Sequence, residues 1–238
     1  MVFTRRLQPE LMDDPAIDPD RHRAALRSLR NINRISRAAP PIARAILSIH
    51  PSAGPCRILD LATGSGDVAV AVASILRAAG REPHLVLCDV SPTALETAAS
   101  CARAARHSAE ALRCDALREG IPAPDRSVDL AMCSLFLHHL EHADAVRIVA
   151  ELARVSRSGF VISDLRRCRR GWAAAAAAGL VSGSPIVRID APRSVEGAFT
   201  MPEFRTILTE AGLSGATVRR VFPFRLLAAW RRPDGGAS

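Results

Sequence analysis

The chain has 238 residues, a length that suits one α/β domain with additions, and its 48% hydrophobic residues suffice for a sizeable core. The formal net charge is +8, but all 32 basic residues are Arg, a composition typical of a GC-rich bacterial genome, so the charge indicates little about partners. The chain has no Lys and no Tyr. This composition excludes the classes of enzyme that need a Schiff-base amine, a phosphate-loop Lys or a Tyr-Lys pair.

The cysteines and the termini indicate a compartment. None of the six cysteines has the Cys-x-x-Cys spacing of zinc or redox sites, and no apolar segment of a signal peptide follows the N-terminus. The longest apolar stretch, residues 172–181, is too short to span a bilayer. We therefore expect a soluble cytoplasmic protein with reduced thiols.

A predicted leader and two predicted helices precede the first strand. Residues 1–19, with Asp13-Asp14-Pro15 and Asp18-Pro19, predict a loose, flexible leader. A basic amphipathic helix follows from 20 to about 37, and a second helix covers 42–49. Together, residues 20–52 form a predicted helical cap that precedes the main domain.

Strands and helices then alternate. The pattern predicts strands over 57–61, 84–89, 111–115, 128–133 and 159–163, with helices over 67–79, 92–106 and 143–155. Such crossovers are right-handed and give a parallel sheet. After a helix at 201–211, strands 216–221 and 224–230 are joined by two residues, a hairpin that adds an antiparallel strand. The predicted fold is an α/β, doubly wound, mostly parallel sheet.

A glycine-rich turn joins the first strand to its helix. It reads LDLATGSGD over residues 59–67, and Gly64 and Gly66 let the backbone approach a ligand at a helix N-terminus. The turn also fits the G-x-G-x-x-A dinucleotide fingerprint, with Asp89 near the ribose position. An NAD(P)-dependent oxidoreductase is therefore one interpretation.

Carboxylates follow three successive strands, at Asp60, Asp89 and Asp115. Asp60 comes directly before the glycine turn, where a carboxylate repels a pyrophosphate and attracts an ammonium or a sulfonium. Asp115 offers an acceptor for an adenine amino group. Each of the three also fits an ordinary strand-end or turn residue, but their combination favours S-adenosylmethionine over a nicotinamide dinucleotide.

Residues 57–165 resemble class I S-adenosylmethionine-dependent methyltransferases, particularly the small-molecule branch that methylates quinones and polyketide-type phenols. The segments that carry the resemblance are LDLATGSGDVAVAVA, LVLCDVSPTALETAA, CDALREGIPAPDRSVDLAMCSLFLHHL and ELARVSRSGFVISDLRR. The resemblance implies a seven-stranded Rossmann-like sheet whose last hairpin strand is antiparallel, and S-adenosylhomocysteine as product. It assigns Asp60, Ala62, Gly64, Ser65 and Gly66 to the methionine end of the cofactor, Asp89 and Val90 to the ribose, Asp115 and Ala116 to adenine, and Ser134 to the vicinity of the methyl group. Ala62 stands where the family often has a glycine.

Candidate catalytic residues follow the fourth and fifth strands. A phenolic acceptor needs a base or an orienting partner to expose its oxyanion. His138, His139 and Asp164 lie at the carboxyl edge of the predicted sheet, where ligands bind in such folds. We expect His138 near the site and its neighbour in a structural role. His138 and His142 have i, i+4 spacing, but the sequence offers no evident third ligand, so no metal is expected.

An extra stretch, residues 166–200, separates the fifth strand from the last helix. It resembles the substrate-covering segment of small-molecule methyltransferases, as does the N-terminal helical pair. Candidate substrate-binding residues in it are Arg166, Arg188 and Asp190. A surface salt bridge between Arg188 and Asp190 is the alternative.

The sequence thus predicts an enzyme of secondary metabolism, with a single domain over 20–238, monomeric or homodimeric. It methylates an aromatic hydroxyl, or an adjacent ring carbon, of a phenolic, polyketide or quinone-type metabolite. The charge raises an RNA methyltransferase as the alternative. However, the loop after the fourth strand reads SLFL instead of Asp/Asn-Pro-Pro-aromatic, and aromatic residues are only 4% of the chain, so we do not expect nucleic acid as a partner. A cofactor-binding module without catalysis is a further alternative.

Overall fold

A seven-stranded sheet forms the centre of the molecule. The computed structural model describes residues 3–14 and 16–233, and the strands are β1 Gly54–Leu61, β2 Arg81–Asp89, β3 Ser108–Arg113, β4 Val128–Ser134, β5 Ser156–Leu165, β6 Thr217–Val221 and β7 Arg225–Arg231. The strand order is β3-β2-β1-β4-β5-β7-β6. Strands β1 to β5 are parallel, and β7 is antiparallel to both β5 and β6. The predicted fold class and the antiparallel hairpin strand are confirmed.

Eight helices surround the sheet in the described part of the chain. They are α1 Pro19–Ile35, α2 Ala39–Ile49, α3 Asp67–Ala78, α4 Pro92–Ala104, α5 His142–Val155, α6 Arg169–Val181, α7 Pro185–Gly197 and α8 Met201–Glu210. Side chains that accept backbone hydrogen bonds start several of them, including Asp18 for α1, Ser91 for α4 and a capping box of Thr200 with Glu203 for α8. Among the described residues, no helix has the length and apolar character needed to cross a membrane.

The two faces of the sheet carry separate cores. On one face, apolar side chains of β1, β2 and β4 pack against α2 and α3, with Ile42, Ile58 and Met132 fully buried. On the other face, Phe160 and Trp230 stack and pack with α5 and α8. Helices on both faces leave the carboxyl edge of the parallel strands as the place for a site.

The third strand differs from its prediction. The pattern placed it at 111–115, but β3 spans Ser108–Arg113 and ends two residues before Asp115. This strand lies at the edge of the sheet, and nearly all of its side chains are exposed. An exposed edge strand has no apolar alternation, so its bounds could not be derived from the hydrophobic pattern.

The predicted loose leader instead packs against α7. Both carboxylate oxygens of Asp190 accept backbone hydrogen bonds, from Leu11 at 3.0 Å and Met12 at 3.1 Å, and Glu10 is buried. Met1, Val2 and Pro15 of the predicted leader lie outside the described residues. Because the anchor is a side chain about 180 positions away, the composition of the leader alone could not reveal its packing.

The N-terminal cap and the 166–200 stretch pack together. Ala25 of α1 forms a small buried cluster with Ile186 and Val187 of α7, and Met12 and Leu29 pack against it. The leader, α1 and α7 thus share one apolar contact region beside the sheet, which we call the helical roof.

Candidate active site

The turn after β1 is built from left-handed residues. Ala62, Gly64 and Gly66 have φ values of +55°, +55° and +69°. A Cβ atom at position 66 would lie 2.8 Å from the Cβ atom of Ala98 on α4, whereas at position 64 the nearest atom would be 3.8 Å away. Only glycine therefore fits at 66, and the close approach of α4 follows from it. Ala62 takes a conformation that costs an L-residue free energy.

Asp60 is buried beneath this turn. Its side chain is 2% exposed, and its Oδ2 atom accepts a hydrogen bond from the Thr63 hydroxyl at 2.6 Å. Its Oδ1 atom is buried without a partner. Burial raises the pKa of Asp60 to about 7; the Thr63 hydrogen bond opposes this shift, and the charges of Asp67 and Asp89 add to it. The unpaired oxygen is ready to accept from a cation.

Asp89 links the end of β2 to the glycine turn. Its Oδ2 atom accepts the backbone N–H of Gly64 and its Oδ1 atom that of Ser91, both at 2.9 Å. Each oxygen keeps a second lone pair, so the carboxylate can still accept from two hydroxyls. Burial raises the pKa of Asp89, and the nearby His22 of α1 opposes that shift. Val90 follows it and is exposed.

Asp115 begins the turn after β3. Its carboxylate accepts the Arg118 backbone N–H at 3.3 Å and lies 3.4 Å from the Nε atom of the exposed Arg118 side chain. Ala116 packs against the core beside it. These contacts fit Asp115 as an ordinary turn residue. Its carboxylate is half-buried and lies at the same carboxyl edge of the sheet as Asp60 and Asp89.

His138 and Asp164 form a buried pair beyond β4 and β5. The Nδ1 atom of His138 lies 2.6 Å from Oδ1 of Asp164, and the imidazole is 4% exposed. The Asp164 carboxylate also accepts the backbone N–H groups of Phe136, His138 and Leu165. Although burial opposes it, the interaction with His138 and the backbone hydrogen bond from Leu165 hold the pKa of Asp164 below its usual value. Asp164 therefore stays ionised and orients the imidazole.

The leader places two carboxylates, those of Glu10 and Asp13, beside His139. The Nδ1 atom of His139 lies 2.9 Å from Asp13 and 3.9 Å from Glu10, and Nε2 of His138 lies 3.8 Å from the same Glu10 oxygen. Burial lowers the pKa of His139, but Asp13 and Glu10 outweigh it and raise the pKa to about 9. Ligand atoms of Glu10, His138 and His139 lie within 4.8 Å of one another, yet the Asp13 ion pair already engages His139.

The three predicted substrate-binding residues lie in different surroundings. Arg166 is half-buried, and its Nε atom is buried without a partner. Arg188 is exposed on α7. Asp190 is buried and bonds backbone amides of the leader, so in the described structure it does not form the alternative salt bridge with Arg188.

Several residues of this edge were missed by the sequence analysis. They come from the leader, α1 and β7, and they are Glu10, Asp13, His22, Asn33 and Arg225. Ser134, which was predicted, has its hydroxyl buried without a partner at the end of β4. The missed residues show no motif spacing; the one available signal was the pair of acidic residues in Glu10-Leu11-Met12-Asp13, which is unusual for a simple linker.

The edge fits S-adenosylmethionine. The unpaired buried oxygen of Asp60 suits an ammonium, the glycine turn admits close backbone contact, and Asp89 keeps acceptor capacity for ribose hydroxyls. These three features lie at adjacent carboxyl ends of β1 and β2.

Residues 58–159 match the family model described as "Methyltransferase domain". No curated protein sequence matches the chain. Similar solved structures include an S-adenosylmethionine-dependent methyltransferase from Aquifex aeolicus, at 19% identity and a TM-score of 0.62, covering 90% of this chain and 98% of that one. An O-methyltransferase family protein from Burkholderia thailandensis has 17% identity and a TM-score of 0.61, and the match covers 90% of this chain and 63% of that one.

Human N-acetylserotonin methyltransferase in complex with S-adenosylmethionine is also similar, at 15% identity and a TM-score of 0.61, with 90% of this chain and 56% of that one covered. The chain thus spans less than two thirds of the Burkholderia and human structures. At these identities the structures establish the fold alone, and the family match over residues 58–159 covers less than half of the chain.

Proposed function

We propose that this chain, a class I S-adenosylmethionine-dependent methyltransferase by its domain match and fold, methylates a small-molecule acceptor. The acceptor atom is an aromatic hydroxyl, or a ring carbon beside one, of a phenolic, polyketide or quinone-type metabolite. The observation that carries this proposal is the buried His138–Asp164 pair, which lies at the same sheet edge as Asp60 and Asp89.

The cofactor supplies an activated methyl group, so the chain mainly positions the reactants and excludes water. In the proposal, Asp60 with the turn residues Ala62, Gly64, Ser65 and Gly66 holds the methionine end. Asp89 and Val90 hold the ribose, and Asp115 and Ala116 hold the adenine.

His138 is the proposed general base. With Nδ1 paired to Asp164, Nε2 is the ring atom left to accept a proton from the acceptor hydroxyl, and Glu10 of the leader, whose carboxylate lies 3.8 Å from Nε2, borders that approach. The ionised Asp164 stabilises the imidazolium that forms and fixes the ring, so it acts as a positioning residue. His139 is committed to Asp13, which supports a structural role for it.

The helical roof favours a small acceptor over RNA. α1 and α7 pack on each other and on the leader, and Leu26 of α1 approaches the glycine turn. A macromolecular acceptor would require this packing to open. A relative of similar fold has N-acetylserotonin in its name, and another is an O-methyltransferase family protein, which agrees with a small acceptor.

We also propose a cytoplasmic setting in bacterial secondary metabolism, with residues 20–238 as one domain and 166–200 as its substrate cover. All six cysteines are free thiols, which suits a reducing compartment.

The test is methyl transfer from S-adenosylmethionine that carries a deuterated methyl group. The protein is incubated with a set of phenols, resorcinols and hydroxyquinones, and separately with total tRNA, and each acceptor is analysed by mass spectrometry. We expect a deuteromethyl mass gain on a phenolic or quinone probe, lost in His138→Gln and kept in the exposed control His142→Gln. Transfer to tRNA alone would contradict the proposal.

A further inference from the structure

Arg225 is a buried cation without an anionic hydrogen-bond partner. It begins β7, is 4% exposed, and its Nη2 atom donates to two neutral oxygens of α1, Asn33 Oδ1 at 3.0 Å and Ser36 Oγ at 3.2 Å. Its Nη1 atom is buried with no partner. Burial lowers the pKa of Arg225 to about 10 although the charges of Asp164 and Asp67 oppose that shift, so Arg225 remains charged at neutral pH. Among the described residues, neither carboxylate accepts a hydrogen bond from Arg225, whose partners are the neutral oxygens of Asn33 and Ser36. A desolvated charge in this state costs free energy that an anion would offset.

Two unpaired hydroxyls lie on the same face of the sheet as Arg225. Ser163 of β5 pairs in register with Leu227, which is two residues from Arg225, and Ser134 of β4 pairs with Ser163. Because side chains alternate along a strand, all three residues project to one face. The hydroxyls of Ser134 and Ser163 are both buried without a partner. Three adjacent strands therefore present unsatisfied donors at the carboxyl edge.

The acceptor oxygen of Asp60 lies on this face as well, since Asp60 pairs with Met132, two residues before Ser134. β1 and β7 are separated by three strand spacings, about 14 Å between their backbones. The unpaired atoms are thus arranged with a negative end at β1 and a positive end at β7. In the cofactor, the methionine carboxylate and the ammonium are bonded to the same carbon. When the ammonium contacts Asp60, the carboxylate therefore also lies near β1, and Arg225 at β7 is left to bind another anion.

We propose that Arg225, Ser163 and Ser134 form an anion subsite that binds a carboxylate of the methyl acceptor. This inference rests on the proposed function and narrows it: the substrate class is an aromatic acid that carries a hydroxyl. The guanidinium neutralises the carboxylate, and the two serine hydroxyls donate to its oxygens. Ser134, at the β4 end of the subsite, places the ring of such an acceptor beside the loop that carries His138.

The test is calorimetric binding in the presence of S-adenosylhomocysteine. The probes are the three monohydroxybenzoates and the matching hydroxybenzamides, which differ only in the carboxylate. We expect at least one benzoate to bind tenfold or more tightly than its amide. Arg225→Gln abolishes that preference while changing the S-adenosylhomocysteine affinity less than threefold. The matched control is Arg219→Gln, an exposed arginine of β6, which keeps the preference.

Three outcomes would overturn the proposal: equal binding of every benzoate and its amide, a preference that persists in Arg225→Gln, or an equal loss of S-adenosylhomocysteine affinity. The last would mean that Arg225 binds the carboxylate of the cofactor. If Arg225→Gln does not fold, Ser163→Ala serves as the second variant and must reduce the preference. Binding is measured without turnover, so an Arg225-dependent preference without methyl transfer would refute the proposed function and leave the subsite standing.

Discussion

The Nδ1 atom of His138 lies 2.6 Å from the Oδ1 atom of Asp164, although 26 positions separate the two residues. The pair joins the loop after β4 to the end of β5, and both side chains are buried. A buried, ionised carboxylate that also accepts three backbone N–H groups holds the neighbouring imidazole in one tautomer and one orientation.

Asp164→Asn should reduce kcat by about 10²–10⁴-fold, because the amide no longer stabilises the imidazolium that proton abstraction creates. The isosteric side chain should leave S-adenosylhomocysteine affinity within about threefold. Steady-state kinetics and calorimetry check both values. An unchanged kcat would exclude Asp164 as the positioning residue of the base, and His142→Gln serves as the control for a surface histidine.

Cofactor affinity should depend on the ionisation of Asp60. Its pKa is raised to about 7, so the free protein holds this carboxyl protonated below that pH, while a bound ammonium requires the carboxylate. S-adenosylhomocysteine binding should therefore strengthen about tenfold between about pH 6 and about pH 8, with proton release. Calorimetry in two buffers of different ionisation enthalpy measures this, and Asp60→Asn should abolish it. A flat profile in the native protein would remove the assignment.

Two of the three left-handed positions of the turn, 62 and 66, should respond in opposite ways to substitution. Gly66→Ala should destabilise the fold by at least ~2 kcal/mol, because the new Cβ meets Ala98 and the φ of +69° disfavours an L-residue. Ala62→Gly should stabilise it by up to ~1 kcal/mol, since the relief of left-handed strain exceeds the added chain entropy. Urea unfolding of both variants is the measurement, and equal effects of the same sign would contradict the assignment.

The His139–Asp13 ion pair should make stability depend on pH. The folded pKa of about 9 exceeds the ordinary 6.5, so this contribution is fully present below about pH 6.5 and is lost as the pH rises through 9. His139→Gln should therefore cost ~1–3 kcal/mol near neutral pH and much less near pH 10. Urea unfolding at both values tests this. The same loss at both would mean that packing, not charge, explains the effect.

Asp190→Asn should loosen the leader. The carboxylate accepts two backbone N–H groups, those of Leu11 and Met12, whereas an amide offers one oxygen. Hydrogen exchange at these two amides should become at least about tenfold faster, which corresponds to a local loss of about 1.4 kcal/mol. The exposed Arg188→Gln is the matched control on the same helix, and unchanged exchange in Asp190→Asn would show that other contacts hold the segment.

The alternation of apolar runs with helical periods was enough to predict the sheet and its direction. Strands buried on both faces, such as β1 and β4, appear in the sequence as continuous apolar segments, and a two-residue connection before β7 permits only a hairpin. The glycine turn with Asp60 and Asp89 was also recognisable, because both carboxylates lie at the ends of buried strands whose positions the local pattern determines. The bounds of the exposed edge strand β3, which precedes Asp115, could not be predicted from the local pattern.

The sequence by itself therefore determined the fold class and the places in the fold of the glycine turn and of the two histidines. Only the tertiary structure decided which charges meet beside His138 and at the start of β7. Glu10 and Asp13 reach the histidines from a segment that looked like a leader, and Arg225 reaches Asn33 from 192 positions away. Such contacts leave no local period or spacing, because they depend on how the roof and the last hairpin fold back onto the sheet edge.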